Sequence, residues 1–436
     1  MARKPTHEPL NVFINARLVG RLRREAGGAI DFTYDPMWLA WNNTMPVSLS
    51  LPLRENRYVG EPVVAVLDNL LPDGEGLRRR IAERVRADGT DAFSLLTALG
   101  HDCVGALQFL RDGEDPGPAG VIAGKPVDAN EIARLLGDLA AAPLGVGEDE
   151  DFRISIAGAQ EKTALLYWKN KWHKPSGTAA TTHIFKPQIG RLPNGIDLPY
   201  SVENEYFCMK LTAALGLPTA NVAMETFGSK RALIVERFDR RWTRDNRLLR
   251  LPQEDCCQAL SMPPTRKYQA DGGPGPKDIL ALLKGSDEPA HDQAAFLRAL
   301  IVFWLLAATD GHAKNFSVFL SPGTRYHSTP LYDVISVQPS LDAKKIKQNQ
   351  MKLAMAVGDH RHYIVHTVQP RHFLQTAAKS GIGASVAKPL FAEILEKSPG
   401  AIQGVLDGLP AGFPEQIAES ITDGFKSRLR ILEAAA

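Results

Sequence analysis

Apolar and polar positions alternate with strand-like spacing in the first part of this chain and with helical spacing in the last. Over residues 1–112, NVFIN, RLVGRLRRE, AIDFTYD and MPVSLSLPL have strand character, with Asn15, Gly27 and Gly28 as turn residues. VAVLDNLLPDGEGLRRRIAERVRA and DAFSLLTALG read as helices. RDGEDPGPAGVIAGKP, rich in Gly, Pro and Asp, breaks the pattern. DANEIARLLGDLAAA then predicts an amphipathic helix capped by Asp128 or Asn130, and PLGVGEDED is a second break. Beyond it, Phe152, Ile154 and Ile156 predict a strand, followed by a polar turn and a second strand from Ala164 to Trp168. THIFKPQ, TANVAMETF and RALIVERFD continue the strand pattern. One helix interrupts it, SVENEYFCMKLTAALGL, with Ser201 as N-cap and Gly216 near its end. After Pro276 the pattern is mainly helical, apart from SVFLS and PLYDVIS.

The expected class is α+β. An N-terminal α/β domain (1–112) precedes a linker and helix (113–150) and a two-lobed module (151–436). That module divides into a strand-containing lobe (151–251) and a mainly helical lobe (252–436). A chain of 436 residues is too long for one simple core, which agrees with several domains. The longest apolar run, FLRALIVFWLLAA, is shorter than the ~20 residues a bilayer needs and carries Arg298. It predicts a buried helix, and no membrane association is expected.

A net charge of +2 gives no global attraction to nucleic acid, while leaving room for a local basic patch. Lys344, Lys345, Lys347 and Lys352, with Arg371 and Lys379, read either as a solvated face or as such a patch. Four cysteines, Cys103, Cys208, Cys256 and Cys257, suit neither a disulfide framework nor a C-x-x-C metal site. With no apolar leader at the N-terminus, a cytoplasmic, reducing setting is expected.

Two segments carry candidate chemistry. DFRISIAGAQEKTALLYW places Lys162 and Thr163 as in a phosphate loop, but Glu161 stands where the second glycine belongs. A strand, a turn and a second strand explain the same residues. In LLAATDGHAKNFSVFL, Asp310 and Asn315 are five positions apart, and Asp333 follows in PLYDVIS. Protein kinases space their catalytic base and metal-binding Asn this way, with a metal-binding Asp in a later loop. His312 falls where many protein kinases place a lysine. The same D-x-x-x-x-N also occurs as a capping or turn motif. Lys186, inside the apolar strand THIFKPQ, needs an anion or a route to solvent, or else solubilises a sheet edge. Glu203 or Glu205 could pair with it, as a kinase helix glutamate does, or neither could.

Taken in order, SIAGAQEKTAL, FKP, ENEYFCMKL, VERFDR, DGHAKNFS and LYDV resemble the HipA-type serine/threonine protein kinases, toxins of bacterial toxin–antitoxin pairs. The resemblance covers nearly the whole chain and implies a kinase-like bilobal module that uses ATP and Mg²⁺. It implies Asp310 as catalytic base and Asn315 and Asp333 as metal ligands. ATP contacts are implied at Ile156, Ala157, Gly158, Ala159, Gln160, Lys162, Lys186, Glu236, Phe238 and His312. The matching serine, Ser155, is implied as a site of self-inactivating autophosphorylation. The implied partners are a small HipB-like helix-turn-helix antitoxin, operator DNA through that complex, and a protein substrate for which glutamyl-tRNA synthetase is the family's example. Growth arrest and persistence would follow. A small-molecule or lipid kinase, or a nucleotide-binding co-repressor scaffold, are the competing readings.

Overall fold

The computed structural model describes residues 7–146, 152–158, 160–191 and 197–435. The chain forms two compact units, Met1–Pro187 with Glu225–Pro264 and Ser317–Tyr326, and Gln188–Met224 with Thr265–Phe316 and His327–Ala436.

The first unit contains an antiparallel sheet in the order Tyr58–Val59, Ile30–Tyr34, Arg17–Arg24, Leu10–Ile14, Leu107–Arg111. Its first hairpin turns at Asn15 and Ala16, both at positive φ (47° and 66°), the backbone that a tight two-residue turn demands. The predicted strand in MPVSLSLPL does not form. Its backbone donors are claimed by side chains instead: Val47 N–H donates to Tyr34 Oη at 2.9 Å and Leu49 N–H to Glu254 Oε1 at 2.7 Å. The two predicted helices span Glu61–Asp68, Glu75–Val85 and Ala92–Leu99, the first two separated by the Pro72–Gly74 turn.

A second sheet in this unit pairs Lys230–Glu236 with His183–Pro187, then Thr163–Trp168, Lys171–Pro175 and Gly124–Pro126. Helix Ala129–Gly137 packs Ile132 and Leu136 onto Leu165, Phe185 and Ile234 of that sheet. Asp128 caps it, reciprocally with Glu131, which settles the choice against Asn130. The predicted strand at Phe152–Ile156 is absent. The segment makes only single bridges, Ile154 to Asp102 and Gly158 to Pro72.

The second unit is mainly helical. Helix Pro289–Leu306 is its buried axis, as the apolar run predicted, with Trp304 fully enclosed and its indole N–H donating to Val365 O at 3.0 Å. Helices Ala384–Asp407 and Glu415–Glu433 pack on it. Helix Ser201–Ala214 also belongs to this unit. Its N-cap is Tyr200, not Ser201, because the Ser201 hydroxyl is engaged with Ile189 N–H at 2.7 Å and Gln188 Oε1 at 3.0 Å. A hairpin of Lys352–Val357 and His362–Ile364 forms where helix was expected, while PLYDVIS contributes only a bridge from Leu331 to Thr219. All four cysteines are buried and unbridged. No helix among the described residues is long and apolar enough to cross a membrane.

Candidate active site

In the helical unit, three features shape the loop that carries Asp310 and Asn315. Helix Pro289–Leu306 ends at Ala307, whose left-handed backbone (φ 51°) turns the chain sharply. Gly311 then lies so close to Phe303 that an added Cβ would sit 2.4 Å from the ring, so only glycine fits. His312 N–H donates to Asp310 O at 2.8 Å, and a short turn of 3₁₀ helix, Ala313–Asn315, follows. His312, Lys314 and Asn315 are buried, whereas the Asp310 side chain is 48% exposed. A partly open carboxylate on a buried scaffold is what proton abstraction from an incoming group requires.

The loop that carries Asp333 is held at several points along 332–337. Asn315 Nδ2 donates to the Asp333 carbonyl at 3.4 Å. Tyr332 Oη donates to Lys314 O at 2.8 Å. Beyond it, Asn204 clasps Ser336 in both directions, at 2.8 and 2.9 Å, and Val337 N–H donates to Ala307 O at 3.0 Å. Asp333 itself has φ 60°, a conformation uncommon for a non-glycine residue and concentrated at functional sites. The Asn315 bond through Nδ2 leaves Oδ1 as that side chain's ligating atom. That oxygen and the Asp333 carboxylate are hard donors of the kind Mg²⁺ takes.

One residue here has no signal in the sequence. Tyr268 Oη donates to Asp310 Oδ1, and its ring stands edge-on to His312 at 4.9 Å. Tyr268 comes from the CCQALSMPPTRKYQADGGPG segment, which in sequence reads equally as a substrate-facing loop or, from its Pro and Gly content, as an uninvolved surface excursion.

In the first unit, the segment from Phe152 to Gly158 runs along the N-terminal sheet's own helices and turns. Ser155 is fully buried, its hydroxyl donating to Leu70 O at 2.8 Å and its N–H to Asp102 O at 3.0 Å. Asp73 N–H donates to Gly158 O at 3.1 Å. Lys162 folds back to donate to Ala157 O at 2.8 Å, crossing Gly158 so closely that a Cβ there would lie 2.6 Å from Nζ. Gly158 also has φ 106°, which makes it the indispensable glycine of the loop. Gln160 Nε2 donates to Pro187 O at 3.1 Å and so ties the loop to the strand that carries Lys186. Ile156 is buried, and Ala159 lies outside the described residues. Glu161 turns outward to Arg80, 3.6 Å away, so it does not stand in the turn as it would in a phosphate loop of the usual spacing.

Lys186 is buried in its strand opposite Leu233. Glu236, at the end of strand Lys230–Glu236, is exposed, and Phe238 packs edge-on against Phe319 at 5.8 Å. The residues between and after them turn the other way. Arg237, Asp239 and Arg240 enter a fully buried charge cluster with Asp102 and Arg250. Burial alone would raise the Asp102 carboxyl, but Arg240, Arg250 and Arg237 outweigh it and hold Asp102 far below the usual carboxylate range. Burial and the neighbouring Arg237 bring Arg240 down to about 10 despite its two carboxylate partners. Both candidate helix glutamates, Glu203 and Glu205, are buried in the second unit, and Gln188 Nε2 donates to Glu203 at 2.6 Å. Of the lysines read as a solvated face or a patch, Lys344, Lys345, Lys347 and Lys352 are exposed. Lys379 pairs with Asp359 at 3.1 Å.

Comparison with known proteins gives a consistent result. Residues 10–110 match the family model of the HipA N-terminal domain, and residues 154–402 that of the HipA-like C-terminal domain. Y4mE of Sinorhizobium fredii is 34% identical over 402 residues, covering 91% of this chain and 92% of that protein. The serine/threonine-protein kinase toxin HipA of Shewanella oneidensis is 30% identical over 371 residues, covering 80% and 78%. A solved toxin–antitoxin complex from Shewanella oneidensis, of HipA, HipB and its operator DNA, superposes with a TM-score of 0.81 at 26% identity, over 98% of this chain and 97% of that one.

Proposed function

The chain belongs to the HipA family, and from that premise we propose that it is an ATP- and Mg²⁺-dependent protein serine/threonine kinase acting as a toxin. The observation that carries the reading is the platform of Asp310, Asn315 and Asp333, built from a helix end, a 3₁₀ turn and a strained loop locked together by hydrogen bonds. Asp310 accepts the proton of the acceptor hydroxyl, and Tyr268 fixes the orientation of its carboxylate. Asn315 and Asp333 would hold Mg²⁺, which would supply neutralisation of phosphate charge. Lys186, Lys162 and the backbone from Ile156 to Gln160 are the proposed contacts to ATP phosphates, and His312 is proposed as a further ATP contact. Glu236 and Phe238 meet the adenine.

Ser155 is the proposed autophosphorylation site. Its hydroxyl is buried, so phosphorylation requires the segment to leave its seat first. By analogy with the HipA, HipB and operator DNA complex, a small HipB-like DNA-binding antitoxin restrains the kinase and joins it in repressing their operon. Glutamyl-tRNA synthetase is the proposed target; its phosphorylation would halt tRNA charging and growth. The test is phosphopeptide mass spectrometry of the purified protein incubated with Mg-ATP, beside Asp310→Ala. Phosphate on Ser155 in the wild type and none in the variant is expected. Absence of transfer in a wild type that demonstrably binds ATP would refute the kinase.

A further inference from the structure

The helical unit contains a cavity of about 570 Å³, within the usual size range of ligand sites. Tyr268 and Thr309 stand at it. Tyr268 is the residue that binds the Asp310 carboxylate, and Thr309 immediately precedes Asp310. The cavity therefore borders both the residue bonded to the proposed catalytic base and the residue that precedes it. Its other walls come from the hairpin. The ladder between Lys352–Val357 and His362–Ile364 slips between Lys352 and Val357. Leu353, Ala354, Tyr363 and Ile364, which flank the slip, line the space.

The chemistry of the lining is informative. The floor is apolar, with Leu353 and Ala354 buried and Ile364, Tyr268 and Tyr363 half-buried beside them; Thr309 and His362 add half-buried polar groups at its side, and the charged groups, Lys352, Arg361 and Asp271, are exposed and mixed in sign. An apolar floor inside a polar rim is the anatomy of a protein-recognition site. A metabolite phosphoacceptor would need convergent polar groups on the floor, and a lipid would need a continuous apolar path.

We propose that this cavity seats the acceptor protein's chain beside the phosphorylated Ser or Thr, and that it takes one large apolar side chain from that chain. The inference rests on the kinase reading and adds the acceptor's recognition element to it. Specificity then lies in an apolar residue within about four positions of the acceptor, since an extended chain advances about 3.3 Å per residue.

The test uses the full-length protein, Mg-ATP and a degenerate peptide library with one fixed serine. Leu, Ile, Met or Phe should be enriched about tenfold at one position near the serine, in line with the burial of such a side chain. Thr367→Trp, at the exposed rim of the cavity, should flatten the preference and raise KM for a selected peptide about tenfold. Ile364→Asp, on the floor, should do the same. KM for ATP should stay within about twofold in both variants, which also shows that they are folded. An apolar preference that is absent in active wild type, or that persists in both variants, overturns the inference and leaves the kinase standing. Transfer to metabolites or lipids with peptides refused also overturns it. No transfer to any acceptor, with ATP bound, removes the kinase reading and this inference together.

Discussion

Phosphate on Ser155 should expel the segment it belongs to, and the structure sets the scale. Seven residues, Phe152–Gly158, are ordered along the first unit. Burying Phe152, Ile154 and Ile156 contributes about 5–9 kcal/mol. Three hydrogen bonds, from Ser155 Oγ to Leu70 O, from Ser155 N to Asp102 O and from Asp73 N to Gly158 O, add about 3 kcal/mol. Ordering the backbone costs about 7–14 kcal/mol. The segment is thus seated by no more than a few kcal/mol. A phosphate brings roughly −1.5 to −2 charges to a fully enclosed position facing the Leu70 carbonyl. Enclosing such a charge without a cationic partner costs several kcal/mol, which exceeds the margin. The assay is hydrogen exchange by mass spectrometry on phosphorylated protein and on Ser155→Asp, with nucleotide affinity by calorimetry. Protection at Ser155 and Asp73 should fall at least about tenfold, and ATP affinity with it. Ser155→Ala should keep both, since it loses one bond and adds no charge. Unchanged protection in the phosphorylated protein would show that the segment tolerates the charge in place and would refute its expulsion.

Four further outcomes follow from the geometry. Asp333→Asn preserves a residue type at ease with φ 60° while removing the charge, so kcat should drop about a hundredfold with the melting temperature unchanged; Asp333→Ala should lose about 1 kcal/mol of stability as well. Tyr268→Phe removes a donor to a carboxylate, an interaction of about 1.5–3 kcal/mol, so kcat should fall about tenfold or more with KM for ATP unaffected. Burial lifts Glu254 to about 8 against the hydrogen bonds from Ser48 and Leu49. A raised carboxyl contributes stability that is complete below its unfolded value near 4.5 and is lost as pH climbs through 8, by at most about 5 kcal/mol. Glu254→Gln should therefore match wild type at pH 4.5 and gain on it steadily to pH 8 in urea titrations; parallel curves would contradict the assignment. Asp102→Asn leaves Arg237, Arg240 and Arg250 with Asp239 as their remaining carboxylate and should cost about 3–5 kcal/mol in the same titrations.

The elements best foreseen in the sequence were those whose signal is local. The helix at Pro289–Leu306, the capping box at Asp128 and Glu131, and the strand around Lys186 each follow from short-range pattern. The misread elements were decided from far away. MPVSLSLPL has strand composition, yet a carboxylate from Glu254 takes its backbone donor. Ser201 looks like an N-cap, but Gln188 and Ile189 engage its hydroxyl. KLAMAV lies among helices and is a strand because its partner is His362–Ile364. Within the candidate site, D-x-x-x-x-N and the later Asp were visible as spacing. Tyr268, 42 residues before Asp310, carries no periodic or compositional mark, and only the folded chain reveals it.

VERFDR shows why a motif can be read correctly as a family mark and still be misunderstood in part. Its residues divide between two directions because the chain turns at Phe238 and Asp239, where Arg240 N–H donates to Arg237 O at 3.2 Å. Glu236 and Phe238 lie on one side, exposed and half-buried. Arg237, Asp239 and Arg240 lie on the other, and the two arginines reach Asp102 while Arg237 also donates to Cys103 O at 2.8 Å. Asp102 in turn accepts from Thr181 and, through its carbonyl, holds Ser155. The segment proposed to meet adenine and the segment proposed to be phosphorylated are therefore anchored to one buried aspartate contributed by the N-terminal region. Such a cluster contributes little net stability, because desolvating five charges offsets most of their attraction. What it does supply is register, since a guanidinium that shifted would leave its own charge buried away from its carboxylate partners. The N-terminal region, on this account, is part of the kinase's own framework. Deleting residues 1–112 should leave Arg237, Arg240 and Arg250 short of their main counter-charge, so the remaining chain should fail to fold as an isolated kinase; a soluble truncated protein with a cooperative melting transition would refute this.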